Sequence, residues 1–256
     1  NALVMTGLSL LMNTVGMAFR VYQSNKIGAE GIGLLQLVLS VYFMTTNLAV
    51  AGIHYAVTRL VSEHLATGNH DAVRQVMKRC LQLCLLFGCG TGLLVFFAAE
   101  PIGLYWLRDG RTILSLKVLA LGLPFFSISC CTRGYYLAVR NAMKPASGQT
   151  IEQIINILVT LGALHLLLPY GIEYACCGIA AGMTAGEIAG CLYIRCLYLW
   201  EIRKKFPRKT GKSIHPWNIL SISLPISGGS TLRTALSAVE NALIPAGLKK
   251  YGASYQ

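Results

Sequence analysis

Six charged side chains, Arg20, Arg133, Glu152, Glu187, Arg233 and Glu240, fall inside or near the ends of long apolar stretches of this chain. A charge at the centre of a bilayer costs at least about 2.5 kcal/mol on the most lenient insertion scale. Such residues are therefore expected to face a water-filled cavity or to pair with one another. Arginine suits a phosphate at that depth, because its planar fork bonds phosphate oxygens and keeps its charge. Polar stripes at helical spacing accompany the charges. Thr6, Ser9, Asn13, Gly16 and Arg20 share one face; Gln36, Ser40, Asn47, His54 and Thr58 share another. Gln149, Glu152 or Gln153, Asn156 and Thr160 form a third, and Ser230, Arg233, Ser237 and Glu240, with Asn241 beside them, a fourth. One stripe alone is as readily packing as function, since Ser and Thr bond the preceding turn or a neighbouring helix. Several stripes carrying charge favour a shared aqueous cavity, with Arg20, Asn13, Asn47, Arg133, Arg233 and Glu240 as the substrate-facing candidates.

The elements that must position these residues are transmembrane helices. Hydrophobic residues make up 54% of the 256 and charged residues only 12%, against about 25% charged in an average soluble domain. Apolar spans are expected near 2–24, 32–57, 78–99, 113–139, 148–168, 174–199 and 215–246, each long enough for a membrane helix. Helices are required because lone strands leave backbone groups unsatisfied in lipid. The fold class is all-α, a polytopic transmembrane bundle. The net charge of +12 is gathered between spans rather than on a nucleic-acid-binding face, so no nucleic-acid partner is expected. Arg59, Arg74, Lys78, Arg79, Arg140, Lys144, Arg203, Lys204, Lys205, Arg208, Lys209 and Lys212 fall on one side; Lys26, Arg108, Arg111, Lys249 and Lys250 fall on the other. The positive-inside rule assigns the richer side, and with it the N-terminus, to the cytoplasm. The chain begins at Asn1 and stops after the 249–256 stretch, and both ends read as cut.

Gly178, Gly182, Gly186 and Gly190 recur every fourth residue and predict close helix packing, with an interhelical hydrogen bond for Glu187. His54 is expected to be a packed, satisfied residue, and Arg195 to snorkel to the inner end of its span. Pro225 and 227–230 predict a bend in the seventh span; interrupted membrane helices point to transporter binding sites, although a plain kink is the commoner case. The second helix is expected to run past the bilayer and turn at Gly68-Asn69. Glu100, Arg108, Asp109 and Arg111 read as a solvated cluster. Nine cysteines lie nearly all in apolar runs without a CxxC pair, and read as buried filler. No metal, cofactor or enzymatic constellation is expected.

Three stretches carry a resemblance. Arg20–Leu34, with 27–33 reading IGAEGIG after a span ending in arginine, resembles the opening of polysaccharide and lipid-linked oligosaccharide flippases. Ala51–Gly68, with 57–63 reading VTRLVSE, is similar to their second-helix exit. Leu224-Pro225 through Glu240–Pro245 resembles the seventh helix of stage V sporulation protein B-like members of the multidrug/oligosaccharidyl-lipid/polysaccharide exporter superfamily. The resemblance implies two six-helix lobes around a central cavity and about twice this length. Residues 1–200 would be the first lobe, 201–213 a basic cytoplasmic linker, and 214–256 the first helix of a second lobe. It implies a multi-pass protein of the bacterial plasma membrane that flips a polyprenyl-pyrophosphate-linked sugar for cell wall, spore cortex or surface polysaccharide. Alternating access would drive it, with H+ or Na+ as a coupling cation and membrane lipids as surroundings. Arg20 matches the family's first-helix arginine offered to the pyrophosphate; Arg133 and Arg233 are assigned by polarity. An ion-coupled multidrug exporter of the same superfamily, or a non-transporting envelope scaffold, are the alternatives.

Overall fold

A computed structural model describes residues 2–50, 52–68 and 70–205. The expected seventh span, its bend, Arg233 and Glu240 lie outside the described residues, as does most of the 201–213 segment. Six α-helices follow in order: α1 (Ala2–Val50), α2 (Ile53–Ala66), α3 (His70–Pro101), α4 (Thr112–Ala138), α5 (Met143–Leu167) and α6 (Ile172–Lys205). A π-helical turn, Ile102–Trp106, follows α3, and a 3-10 turn, Leu168–Tyr170, follows α5. No strand occurs among the described residues.

Five segments are long and apolar enough to cross a membrane, and the first, Leu10–Ala66, has 57 residues. As one straight helix it would be about 86 Å long, nearly three hydrocarbon thicknesses. Two glycines divide it. Gly28 takes φ 71 and ψ −178 inside α1, a combination open to glycine almost alone. Gly52 takes φ 67 and ψ 3 at the start of α2. The sequence spans 2–24 and 32–57 are thus two arms of α1 hinged at Gly28, and the first segment crosses twice. The break at Gly52 comes one span-end earlier than the expected turn at Gly68, which is also present with φ 68.

Contacts fix the directions of the arms. Ile27, Leu34 and Leu35 pack with Leu164 at the end of α5 and with Ala175, Cys176 and Ile179 at the start of α6. Eleven or so residues back along each element, Gly16 of the first arm meets Gln153 of α5. Further along the second arm, Tyr42 meets Glu187 of α6. The first arm therefore runs with α5 and the second returns with α6. Gly28, residues 107–111 and residues 168–171 share one end of the bundle, called here the hinge end. The α2–α3 turn, the α4–α5 turn and the end of α6 share the far end, where Ile53, Val57, Val73, Met77, Tyr135, Tyr136, Ile194 and Tyr198 form one apolar core.

Helix packing uses the glycines where backbones touch. A Cβ on Gly186 would stand 2.6 Å from the Glu152 carbonyl oxygen, and one on Gly178 would stand 3.0 Å from the Ala163 Cβ. Gly182 sits against Thr160 and Asn156, and Gly190 against Glu152. The every-fourth-residue glycine face is thus the seam between α6 and α5. Gly88 and Gly92 do the same for α3 against Pro124 and Ala120 of α4.

Both ends are tied by polar contacts. At the far end, Lys144 pairs with the buried Glu201 and lies 5.1 Å from the Tyr136 ring centre. The α4–α5 turn closes with Arg140 N–H donating to Leu137 O and Asn141 N–H to Tyr136 O. This is a Schellman closure, with Arg140 at φ 58 in the place glycine usually takes. At the hinge end, Arg111 pairs with Glu30 at 2.7 Å and with Asp109 at 2.9 Å. The Arg111 guanidinium holds the Asp109 carboxyl below the usual carboxylate range. Glu100 pairs with Lys117 at 3.1 Å, so the expected solvated cluster is a set of discrete pairs joining the α1 hinge to the α3–α4 connection.

Candidate functional site

Polar groups converge where the second arm of α1, α4, α5 and α6 meet. Arg133 of α4 donates from Nη2 to Glu152 Oε2 of α5 at 2.5 Å, with the two side chains 24% and 28% exposed. Its Nε is buried without a partner. Glu187 of α6 accepts a hydrogen bond from the Tyr42 hydroxyl at Oε1, while its buried Oε2 has no partner. Glu152 and Arg133 both stand within electrostatic reach of Glu187. The glycine seam allows this convergence: with Gly186 and Gly190 on α6, the α5 backbone at Glu152 comes close enough to place both carboxylates in one neighbourhood.

Helical rise gives the depths. Glu187 lies fifteen residues into α6, about 22 Å from the hinge end, near mid-membrane. Arg20 lies eight residues before Gly28, about 12 Å from that end. Glu152 lies fifteen residues before Leu167, about 22 Å along. Arg20 and the Arg133–Glu152 pair are therefore separated by about two helical turns.

Arg20 and Asn13 are exposed on the first arm, seven residues apart on one face. Arg20 has no ion-pair partner among the described residues, unlike Arg111 and Arg133. Asn47 is half-buried and turns its amide back to Phe43 O at 2.8 Å. The Asn13, Arg20, Asn47 and Arg133 side chains show no mutual hydrogen bond. His54 bonds Cys130 O at 2.9 Å and Thr58 bonds Gly134 O at 3.2 Å, seating α2 on α4. Arg195 lies 5.0 Å from the Tyr198 ring centre with Nη1 buried. The ring face offers the guanidinium a cation–π partner.

Tyr42 escaped the sequence reading. It is an apolar-looking tyrosine in an apolar run, and only its position one turn beyond Val38 on the buried face hinted at a polar role.

The polysaccharide biosynthesis protein family matches residues 1–244. Stage V sporulation protein B of Bacillus subtilis (strain 168) is 32% identical over 239 residues, 88% of this chain and 45% of the relative. The lipid II flippase MurJ of the same organism is 25% identical over 173 residues, 64% of this chain and 32% of the relative. Among solved structures, a MOP superfamily transporter from Pyrococcus furiosus superposes with a TM-score of 0.76 at 16% identity, over 92% of this chain and 52% of that one. This chain thus spans less than half of each of the two curated relatives. It is a multi-pass membrane protein with the helical-bundle fold of these transporters, and it belongs to the polysaccharide biosynthesis protein family.

Proposed function

We propose that this bundle is one lobe of a flippase that moves a polyprenyl-pyrophosphate-linked sugar across the bacterial plasma membrane by alternating access. One observation carries the reading: Arg20 is an exposed arginine within a membrane arm, unpaired among the described residues. A charge at such depth calls for an anionic partner or water, and a pyrophosphate supplies the oxygens that a guanidinium fork bonds best. The relatives point the same way, one of them being named a lipid II flippase.

The basic α2–α3 and α4–α5 segments and the basic end of α6 belong to the far end, which the positive-inside rule assigns to the cytoplasm. The Arg133–Glu152 pair then lies deeper toward the cytoplasm than Arg20. Two arginines about two turns apart serve successive positions of a headgroup rather than one clamp. Asn13, one face with Arg20, adds a neutral donor, and Asn47 lines the second arm. Arg233 and Glu240 would face the same cavity from the first helix of a second lobe, residues 214–256, joined through the 201–213 linker. A coupling cation, H+ or Na+, drives the cycle; no bond of the substrate is broken, so the protein acts as a transporter and not an enzyme. Spore cortex, cell wall and surface polysaccharide precursors share this headgroup chemistry.

Native mass spectrometry of the detergent-solubilised protein with undecaprenyl pyrophosphate and with neutral undecaprenol tests the reading. The pyrophosphate should bind selectively, survive Arg20→Lys in part and be lost in Arg20→Ala. Equal retention of both lipids by the wild-type protein would contradict it.

A further inference from the structure

Glu187 is a carboxyl buried in the bundle core, and its two oxygens are unlike. Its side chain is 7% exposed. Oε1 accepts from the Tyr42 hydroxyl; Oε2 is buried, has no partner and lies against Gly122 of α4, where no side chain intervenes. Thr184, one turn earlier on α6, is not available to it, because its hydroxyl donates to Val118 O at 3.2 Å. The titratable and charged groups facing this carboxyl are Tyr42 from the second arm, Cys130 and Arg133 from α4, and Glu152 from α5.

The charge count among these groups does not close. Arg133 is the one cation, and Glu152 already holds it at 2.5 Å. An ionised Glu187 would be a second anion sharing a single guanidinium, with one buried oxygen bare. Burying an unpaired carboxylate is far more costly than burying a neutral acid. A metal ion is poorly served here: no group of three or more His, Cys, Asp or Glu side chains capable of holding one occurs among the described residues. One proton balances the cluster and leaves Tyr42 as donor to the carbonyl oxygen of a neutral acid.

We infer that Glu187 is a proton-binding site, occupied in this arrangement, that joins the second arm of α1 to α6 through Tyr42. Release of the proton sets two carboxylates against each other across the glycine seam, with Arg133 already held by Glu152. The charge change therefore acts directly on the Arg133–Glu152 pair and on the contact between the second arm and α6. In the flippase reading this supplies a means for a proton to alter the packing of the lobe. The site itself stands independently of the substrate, and its test uses none.

Infrared difference spectra between mildly acidic and alkaline pH report the C=O stretch of neutral carboxyl groups in the protein in lipid. The wild-type protein should show a buried neutral-carboxyl band at neutral pH. The band should vanish in Glu187→Gln, persist in Glu152→Gln and shift in Tyr42→Phe, which removes the donor to Oε1 without removing the acid. Glu187→Gln should also fold and unfold like the wild-type protein, because the amide reproduces a neutral acid in shape. Identical carboxyl bands in the wild-type protein and Glu187→Gln would overturn the assignment. So would a carboxyl signal that responds to sodium at fixed pH and not to pH itself, since the balancing charge would then be a metal ion.

Discussion

Substitution of Gly186 by alanine tests whether the glycine seam sets the α5–α6 distance and, through it, the polar cluster. The Cβ would stand 2.6 Å from the backbone oxygen of Glu152 and 3.1 Å from the Asn156 Cβ. A backbone atom cannot swing aside as a side-chain tip can, so the helices must separate. Overpacking of this kind costs about 1–3 kcal/mol. Alanine recovers up to about 1 kcal/mol over glycine in a helix interior. With the full recovery the net expectation is a loss of about 0–2 kcal/mol, leaving Gly186→Ala less stable than Gly162→Ala. Gly162→Ala on α5 is the internal control, since nothing lies within 4 Å of the new methyl group. There the propensity gain stands alone, and stability should be unchanged or raised by up to about 1 kcal/mol. Reversible unfolding in mixed micelles, with both variants measured against the wild-type protein, gives the comparison. Gly186→Ala as stable as Gly162→Ala would refute the seam, and with it the means by which Glu152 comes near Glu187.

Four further outcomes follow from the contacts. A double-mutant cycle of Arg133→Ala and Glu152→Ala should give a coupling of about 1–3 kcal/mol in unfolding, less than for a fully buried pair because both side chains keep partial exposure; additive effects would deny the pair. Gly28→Ala should lose about 1–3 kcal/mol although its Cβ meets nothing, because the penalty is conformational; a neutral result in the same assay would remove the hinge. Arg140→Gly should raise stability by up to about 1–2 kcal/mol by freeing the left-handed position from its Cβ; a loss would mean the arginine side chain holds the turn. Asp109 is held below the usual carboxylate range by Arg111, so the Arg111–Asp109 contact contributes fully above that range and is lost only as pH falls through the lowered value. The unfolding difference between the wild-type protein and Asp109→Asn should therefore be flat near neutrality and shrink in acid, and a difference that grows on acidification would contradict the pairing.

The helices and their alternation were legible because a membrane imposes one length scale and one secondary structure on every span. The charge segregation was legible too, and the bundle places the basic α2–α3 and α4–α5 connections at one end. A break between the spans 2–24 and 32–57 was legible from the polar 23–26 stretch, but not that it is a hinge at Gly28, since a single glycine does not announce its φ; the break at Gly52 was hidden because apolar residues run through it. The glycine face of α6 could be read as a packing seam from its spacing, but its partner, α5, could not, because spacing carries no information about which helix approaches. Arg133 and Glu152 could be seen as charges in spans; that they neutralise each other depends on the crossing of α4 and α5. Glu187 was legible as an interhelical hydrogen-bond partner, while its donor, Tyr42, was hidden among apolar neighbours. For Arg195 the sequence shows the span end but not the Tyr198 ring beside it.

Transport through an arginine-lined path is the account's central claim, and translocation in proteoliposomes measures it most directly. The protein is reconstituted with a fluorescent undecaprenyl-pyrophosphate-linked sugar, and the label exposed outside is quenched over time. Wild-type vesicles should expose the inner pool, while Arg20→Ala vesicles with equal insertion should not. Undiminished exposure in the Arg20→Ala vesicles, or none in the wild type, would contradict the account.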